Sequence, residues 1–128
     1  MPTEEDPMSR KKILIVDDET DFSEMLKMRL EASAYEVITA NDGAEGLEKA
    51  QEHHPHLILL DVMMPGMDGF EVLSKLRSAD STKYTPVVML TAKRESKFML
   101  KSQELHATDY LMKPCDSKDL LDVIRKHA

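Results

Sequence analysis

The sequence contains little of what disulfide-rich, zinc-stabilised or membrane-spanning proteins need. It has one cysteine, no tryptophan, and no C-x-x-C or H-x-x-x-H pair, which excludes an internal disulfide framework, a zinc finger and a thioredoxin-like motif. No apolar run approaches the roughly 20 residues of a membrane-spanning helix. Residues 1–8 lack the basic and apolar regions of a signal peptide. We therefore expect a cytoplasmic protein that does not enter a membrane.

Positive charge is also scarce. The 128 residues include 17 Lys and Arg against 24 Asp and Glu, which gives a formal net charge of −7. This balance argues against sequence-independent binding to the phosphates of nucleic acids. A chain of this length can bury roughly two thirds of its unfolded surface, so it can support one hydrophobic core. We predict a single domain over residues 12–128, preceded by a flexible polar tail over residues 1–11.

Short apolar runs alternate along the chain with longer amphipathic stretches. Nearly continuous apolar strands are typical of a parallel sheet that helices cover on both faces. The pattern predicts an α/β fold, a doubly wound, flavodoxin-like sheet of five parallel strands in the order 2-1-3-4-5 with five helices. In that order the first and third strands flank the crevice where ligands bind. The predicted strands are residues 13–16, 35–38, 57–60, 87–90 and 110–112.

Capping patterns indicate where three of the helices begin. Asp21 precedes Glu24 by three residues, and Asp68 precedes Glu71 by three residues, both in the form of a capping box. Residues 41–43, Asn-Asp-Gly, open the second helix. We therefore predict that Asp21 and Asp68 cap the first and third helices.

The fourth helical stretch, residues 95–105, has the weakest pattern. Phe98, Met99 and Leu100 are consecutive, so they cannot all face one core. We expect part of this apolar surface to be exposed.

Acidic residues follow the first and third predicted strands. The first strand leads into Asp17, Asp18 and Glu19, and the third leads into Asp61. A single Asp after a strand is more often a turn or capping residue. Neighbouring parallel strands lie about 5 Å apart, however, so Asp17, Asp18 and Asp61 are expected to crowd into one crevice. Because a divalent cation relieves such repulsion and Mg²⁺ prefers oxygen ligands, the crevice is a candidate magnesium site.

Two other polar residues end the fourth and fifth strands. Thr91 and Lys113 would bring a hydroxyl and an ammonium to the same edge of the sheet. Each residue alone is more typical of a cap or a solvated surface lysine. Together with the carboxylates and a metal, they form the set of groups that a phosphoryl group needs around it. The isomer of the Lys113–Pro114 bond is left open.

Four sequence blocks in this order resemble the signature blocks of receiver domains in two-component response regulators. They lie at residues 13–19, 61–70, 88–92 and 109–114, and the resemblance extends over residues 12–127. It implies a chemotaxis-regulator-like signalling switch. Such a protein catalyses only its own phosphorylation and dephosphorylation and is not otherwise an enzyme.

The resemblance implies a phosphoacceptor and a metal site. Asp61 is the implied phosphoacceptor, and Asp18 and Asp61 are implied to bind Mg²⁺. Asp17 is implied to hold a metal-bound water, and the backbone carbonyl of Met63 to complete the protein's share of the coordination. The implied phosphodonor is the phosphohistidine of a sensor histidine kinase or a phosphotransfer protein.

The resemblance also implies how the switch works. Thr91 and Lys113 are implied to contact the phosphoryl oxygens, and Tyr110 to change rotamer with the state of Thr91. The face formed by the fourth helix, fifth strand and fifth helix would then change shape. If the chain ends natively near Ala128, we expect output through a downstream protein or a homodimer on that face, without direct nucleic-acid contact.

The sequence departs from the usual family pattern at the output face. Residues 106–108, His-Ala-Thr, replace a small Gly-Ala pair, and Cys115 stands where an aromatic residue is frequent. We expect Cys115 to be a buried or half-buried thiol. Met63 and Lys93 lie two residues beyond Asp61 and Thr91, so we expect them to tune the lifetime of the phosphate.

Two other classes of function are considered. A haloacid-dehalogenase-like phosphotransferase also uses an aspartate nucleophile, but it needs a second Asp two positions later, where this sequence has Met63. A phosphorylation-independent pseudo-receiver normally lacks the acceptor or the acidic pair. Here the acceptor, the acidic pair, the hydroxyl and the lysine are all present, which favours the receiver.

Overall fold

Five strands alternate with five helices in the computed structural model, which describes residues 10–92 and 96–128. Lys93 and Glu95, which fall in our predictions, and residues 1–9 of the predicted tail lie outside this range. The elements are β1 (Lys12–Val16), α1 (Thr20–Ala32), β2 (Glu36–Ala40), α2 (Gly43–His53), β3 (Leu57–Asp61), α3 (Gly69–Ser78), β4 (Val87–Thr91), α4 (Ser96–Glu104), β5 (Asp109–Met112) and α5 (Ser117–His127).

The strands form one parallel sheet in the order β2-β1-β3-β4-β5, which confirms the predicted fold. β1 and β3 are neighbours, and Val16 is paired with Leu60 at their carboxyl ends. The chain crosses from one half of the sheet to the other at these two strands. They therefore flank the crevice at which doubly wound folds bind ligands.

Alternate residues of the strands face two separate cores. Leu14 and Val16 of β1 pack on the side covered by α2 and α3, whereas Ile13 and Ile15 pack on the side covered by α1 and α5. All four side chains are buried. This explains why the strands are almost entirely apolar, because both of their faces are covered by helices.

Two of the three predicted helix starts are confirmed. The carboxylate of Asp68 accepts the N–H of Glu71 at 2.9 Å, and that of Asp42 accepts the N–H of Glu45 at 2.8 Å. These bonds satisfy backbone donors that have no partner within the first turn of a helix.

The predicted cap at Asp21 is wrong. α1 begins at Thr20, before Asp21, and its N-cap residue Glu19 makes no side-chain capping bond to the described residues. The cause lies one turn earlier, where the Asp17 carboxylate accepts the N–H of Glu19 at 2.9 Å and turns the chain into the helix. Asp21 instead lies in the first turn of α1, where its negative charge interacts favourably with the helix dipole.

α4 exposes part of its apolar surface, as its sequence predicted. Phe98 packs against the core on the α3 side, whereas Met99 and Leu100 are 46% and 58% exposed. The described part of this helix therefore contributes less to the core than α3, whose Val72, Leu73 and Leu76 are buried.

Lys11, the last residue of the predicted tail, is hydrogen-bonded to the domain at two points. Its carbonyl accepts the N–H of Glu36 at 2.9 Å, and its ammonium donates to the carbonyl of Ala128 at 2.7 Å. Within residues 10–92 and 96–128, no helix has both the length and the apolar character needed to cross a membrane.

Candidate functional site: an acidic crevice with a buried lysine

Carboxylates gather at the ends of β1 and β3. Asp17 directly follows β1, and Asp61 is the last residue of β3; they are 0% and 3% exposed. Glu19 completes a group in which one oxygen atom from each side chain lies within 4.8 Å of the others. The sheet therefore brings Asp17 and Asp61 together, as predicted from the neighbouring strands.

Lys113 reaches this group from the end of β5. Its Nζ lies 2.7 Å from Asp17 Oδ2, 3.0 Å from Glu19 Oε1 and 3.5 Å from Asp61 Oδ1. The side chain is only 9% exposed, and its ammonium also lies 4.5 Å from the centre of the Phe22 ring. Lys113 is therefore a buried cation at the acidic crevice.

The backbone on either side of Lys113 is defined. The Lys113–Pro114 peptide bond is cis. The N–H of Lys113 donates to the carbonyl of Thr91 at 2.8 Å, which extends the β4–β5 pairing by one bond beyond the strands. This bond ties the predicted site residues Thr91 and Lys113 together through the main chain.

The ion pairs determine the protonation of Lys113. Burial lowers the pKa of the ammonium, but the carboxylates of Asp17, Glu19 and Asp61 outweigh this effect and raise it above its ordinary value. Lys113 therefore remains positively charged at neutral pH.

Asp61 has the opposite environment. Burial, followed by the nearby carboxylate of Asp17, raises the pKa of Asp61 from 3.8 to about 7. Lys113 and a hydrogen bond from the backbone N–H of Met63 act in the other direction. The crevice thus carries more negative charge than its single lysine neutralises.

This donor set fits a magnesium ion. Asp17, Glu19 and Asp61 offer only oxygen atoms, which are the ligands that Mg²⁺ prefers. The nearby carboxylate of Asp17 is, after burial, a cause of the raised pKa of Asp61, and a divalent cation would favour the ionised form of Asp61. The residues present are therefore compatible with a bound Mg²⁺.

Two predicted metal-site residues, Asp18 and Met63, are exposed, whereas Asp17 and Asp61 are buried. Asp18 is exposed and is not part of the group formed by Asp17, Glu19 and Asp61. Met63 is 55% exposed, and it contacts Asp61 through its backbone N–H. The roles of Asp18 and of the Met63 carbonyl as metal ligands stay predictions.

The predicted switch residues lie on β4 and β5. Thr91 is buried at the end of β4, next to Leu90, which is paired with Asp61 in β3. Tyr110 is half-buried in β5 and packs against the core on the α3 side. Thr91 thus lies at the same edge of the sheet as Asp61, as predicted.

Cys115 is buried, as predicted. Burial raises the pKa of its thiol above the ordinary value, which disfavours the reactive thiolate. Its backbone carbonyl accepts a hydrogen bond from Arg29 at 3.3 Å.

Sequence reasoning did not identify Glu19 or Phe22 as contacts of the site. Glu19 had a detectable signal, because it directly follows the acidic pair at the end of β1. Phe22 had none, because an aromatic residue in the first turn of an amphipathic helix normally predicts core packing. The contact with Lys113 depends on where α1 begins, which the capping pattern had placed too late.

Gly69 allows α3 to begin directly beside Asp61. Its N–H donates to the carbonyl of Val62 at 2.9 Å. A Cβ atom at this position would overlap the carbonyl oxygen of Asp61 and approach the Cα of Val62 within 2.8 Å. The close contact fixes the backbone that presents Asp61.

Comparison with known proteins agrees with this geometry. Residues 13–125 match the family described as the response regulator receiver domain. The alkaline phosphatase synthesis transcriptional regulatory protein PhoP of Bacillus subtilis is 46% identical over 110 residues, which are 86% of this chain and 45% of that protein. The DNA-binding response regulator MtrA of Mycolicibacterium paratuberculosis is 40% identical over 91% of this chain and 50% of its own length. The chain thus spans about half the length of these relatives.

A solved structure shows the same architecture. The chemotaxis protein CheY4 of Vibrio cholerae is 35% identical, with a TM-score of 0.90 over 94% of this chain and 100% of its own. These similarities do not favour a haloacid-dehalogenase-like enzyme or a pseudo-receiver. Receiver domains act as signalling switches rather than as ordinary metabolic enzymes. The chain belongs to the response regulator receiver domain family of two-component signal transduction.

Proposed function

We propose that Asp61 accepts a phosphoryl group from the phosphohistidine of a sensor histidine kinase or phosphotransfer protein in the cytoplasm. The observation that carries this proposal is the pairing of a buried carboxylate with a buried ammonium, Asp61 with Lys113, at the crevice of the sheet. Asp61 supplies the nucleophile, and Lys113 supplies positive charge for the group that is transferred.

The transfer proceeds by displacement at phosphorus. A carboxylate oxygen of Asp61 attacks, a phosphorus–oxygen bond forms, and the phosphorus–nitrogen bond to the donor histidine breaks. The imidazole nitrogen keeps the electron pair of the broken bond. The ammonium of Lys113 and the backbone N–H of Met63 favour the carboxylate form of Asp61, which is the form that attacks.

Mg²⁺ is the cofactor in this proposal. Asp17, Asp18, Asp61 and the backbone carbonyl of Met63 would hold it, and Glu19 is a further nearby carboxylate. When bound, the ion neutralises negative charge on the oxygens of the transferred group. With the ion bound, Lys113 would no longer be the only cation that neutralises the carboxylates among the described residues. Its ammonium would then be available to the phosphoryl oxygens.

Phosphorylation changes the contacts that Lys113 and Thr91 make. The phosphoryl group draws the ammonium of Lys113 away from Glu19 and accepts a hydrogen bond from the Thr91 hydroxyl. Movement of Thr91 on β4 lets Tyr110 on the neighbouring β5 turn inward. The new contacts bias the domain between two states by the difference in their free energies.

The output surface is the face formed by α4, β5 and α5. Its described part includes Met99, which is 46% exposed, and it lies beside the switch residue Tyr110. A downstream protein or a second copy of the chain binds this face, and the domain itself makes no direct contact with nucleic acid. Met63, exposed two residues after Asp61, borders the path of the water that hydrolyses the phosphate. Together with Lys93, which lies two residues beyond Thr91 in the sequence and outside the described residues, it sets the lifetime of the phosphate.

A small acyl phosphate with Mg²⁺ tests the acceptor directly. Intact-mass spectrometry should show the addition of one phosphoryl group, and Asp61→Asn should abolish it. Asp42→Asn is the matched control, because it makes the same change at a remote N-cap where Asn caps as well as Asp. Retention of full phosphorylation in Asp61→Asn would refute Asp61 as the acceptor.

A further inference from the structure

The first turn of α1 brings an aromatic ring to the buried lysine of the crevice. The ammonium of Lys113 lies 4.5 Å from the centre of the Phe22 ring, within the roughly 6 Å over which an aromatic face attracts a cation. The Lys113 side chain is only 9% exposed. Because little water screens the charge, the attraction is stronger here than at an exposed site.

The start of α1 determines where this ring lies. The Asp17 carboxylate accepts the N–H of Glu19 at 2.9 Å. The carbonyl of Glu19 in turn accepts the N–H of Ser23 at 3.0 Å, which closes the first turn. Residues three positions apart are neighbours on a helix, so Glu19 and Phe22 reach Lys113 together.

A second contact fixes α1 relative to the segment that carries Lys113. Arg29, near the end of α1, donates to the backbone carbonyl of Cys115 at 3.3 Å. Phe22 also packs against the core on the α1 and α5 side. The helix is thus bound to residues 113–115 near both of its ends. The ring is therefore ordered beside the ammonium before any reaction, and no further conformational entropy is lost when the lysine acts.

Phe22 differs from the other contacts of Lys113 because its side chain is uncharged. Asp17, Glu19 and Asp61 attract the ammonium through ion pairs, and carboxylates compete with a phosphoryl group for the same cation. An aromatic face attracts the ammonium without adding a full negative charge to the crevice. The ring can therefore hold the ammonium near Asp61 while phosphoryl oxygens replace the carboxylate contacts.

We propose that Phe22 is a positioning residue for phosphoryl transfer, because its aromatic face holds the ammonium of Lys113 at the crevice. The inference rests on the proposed function, in which Lys113 is the cation that stabilises the transferred group. Without the ring, the ammonium moves toward the exposed carboxylate of Glu19 and water. The phosphoryl oxygens then meet a cation that is displaced from Asp61, and transfer slows.

Core packing is the alternative role for Phe22, and fluorination of the ring separates the two roles. Fluorine atoms withdraw negative charge from the aromatic face that attracts a cation, whereas the ring keeps nearly the same shape and remains apolar. A packing role therefore predicts no loss, and a cation–π role predicts a loss that grows with each fluorine atom. Phenylalanine analogues with one, two and three fluorine atoms are incorporated at position 22 of the full chain by codon suppression.

The rate of phosphorylation by a small acyl phosphate at saturating Mg²⁺ is the first readout. It should fall stepwise along the series, at least fivefold for the trifluoro analogue, because a desolvated cation–π contact changes an equilibrium by about tenfold. Phe22→Leu should lower the rate to a similar extent, and Phe22→Tyr, which keeps an aromatic face, should retain it. Equal rates along the fluorinated series would overturn the positioning role and leave packing.

Tyr35 provides the matched control position. It packs against the same core as Phe22 but lies immediately before β2, at the opposite edge of the sheet from the crevice. The same analogues at position 35 should change the rate less than twofold relative to Tyr35→Phe. An equal fall at both positions would overturn the inference, because it would assign the effect to fluorination of the core.

The stability of the metal-free protein is the second readout and requires no phosphorylation. In EDTA, the trifluoro analogue at position 22 should raise the equilibrium constant for urea unfolding at least threefold more in the parent than in Lys113→Met, which has no ammonium over the ring. An equal effect in the two backgrounds would overturn the contact. If Lys113→Met does not fold, the fluorinated series in the parent still decides, because every protein in it keeps Lys113.

The two readouts distinguish failure of the inference from failure of the proposed function. Coupling between Phe22 and Lys113 in EDTA with an unchanged phosphorylation rate would overturn the positioning role while leaving Asp61 as the acceptor. A parent protein that accepts no phosphoryl group would overturn the proposed function and the positioning role with it. The Kd for Mg²⁺ should change less than twofold in Phe22→Leu, because the ring offers no oxygen ligand. A larger change would contradict the inference by assigning the slower transfer to the metal site.

Discussion

The ammonium of Lys113 lies 2.7 Å from the carboxylate of Asp17, although 96 positions separate the two residues in the sequence (113 − 17 = 96). Both side chains are almost completely withdrawn from water. Because little water screens a buried ion pair, its contribution to stability depends strongly on the charges of neighbouring groups. It therefore links the stability of the metal-free domain to the residues that we propose carry out phosphorylation.

Replacement of Lys113 should destabilise the metal-free protein. Lys113→Met leaves Asp17 and Asp61 without their buried cation, and breaking a buried pair in this way lowers the free energy of unfolding by about 3 kcal/mol. Urea unfolding in the presence of EDTA measures the effect, with Lys118→Met as the control, because the Lys118 side chain is 82% exposed on α5. An unchanged unfolding midpoint would contradict the buried ion pair.

The pH dependence of stability should reveal Asp61. Its pKa in the folded protein is raised to about 7, above its value in an unfolded chain, so its contribution to stability falls as the pH rises from about 4 to 7. Asp61→Asn lacks this penalty, and one pKa unit corresponds to about 1.4 kcal/mol. The variant should therefore become more stable than the parent by a few kcal/mol between pH 4 and 8.

The measurement requires EDTA, because a bound cation favours the ionised form of Asp61 and removes the penalty. Thermal or urea unfolding of both proteins across this pH range gives the difference directly. Parallel pH profiles for the parent and Asp61→Asn would show that the acceptor carboxylate is not destabilised by burial and Asp17.

Metal affinity distinguishes Asp18 from Glu19. The proposed Mg²⁺ site uses Asp18, although the structure places Glu19, rather than Asp18, in the close group with Asp17 and Asp61. Asp18→Ala should raise the Kd for Mg²⁺ at least tenfold. Glu19→Gln should raise it no more than threefold, because the Glu19 carboxylate is paired with the Lys113 ammonium at 3.0 Å. Isothermal titration calorimetry measures both, and a reversed order would assign Glu19 as the ligand.

Addition of one methyl group at Gly69 should disturb the acceptor. Gly69→Ala forces a Cβ into the carbonyl oxygen of Asp61, and overpacking of this kind destabilises a protein by about 1–3 kcal/mol. The rate of phosphorylation by an acyl phosphate should fall at the same time, because the backbone that presents Asp61 must shift. Ser74→Ala, an exposed change on the same helix, should alter neither quantity.

The fold followed from the sequence because its strands are nearly all apolar. Residues such as Ile13 and Leu14 point to opposite faces and are both buried, so β1 had to be covered on both sides. β2 was predicted at residues 35–38 but runs from Glu36 to Ala40. It is an edge strand, and the short side chains of Thr39 and Ala40 carry little apolar signal.

The site was predicted where it depends on the ends of strands and was missed where it depends on a loop. Asp17 and Asp61 meet because their strands are neighbours. Glu19 and Phe22 reach Lys113 because α1 begins at Thr20, and that start is set by the hydrogen bond from the Glu19 N–H to Asp17. A capping pattern centred on Asp21 could not reveal this local bond.

The central claim is that Asp61 carries the phosphoryl group, and chemical trapping of the acyl phosphate tests it most directly. The protein is incubated with an acyl phosphate and Mg²⁺, reduced with borohydride, digested and sequenced by tandem mass spectrometry. Reduction converts a phosphorylated aspartate to homoserine. The account predicts homoserine at position 61, whereas homoserine at Asp17 or Asp18, or no reduction at all, would contradict it.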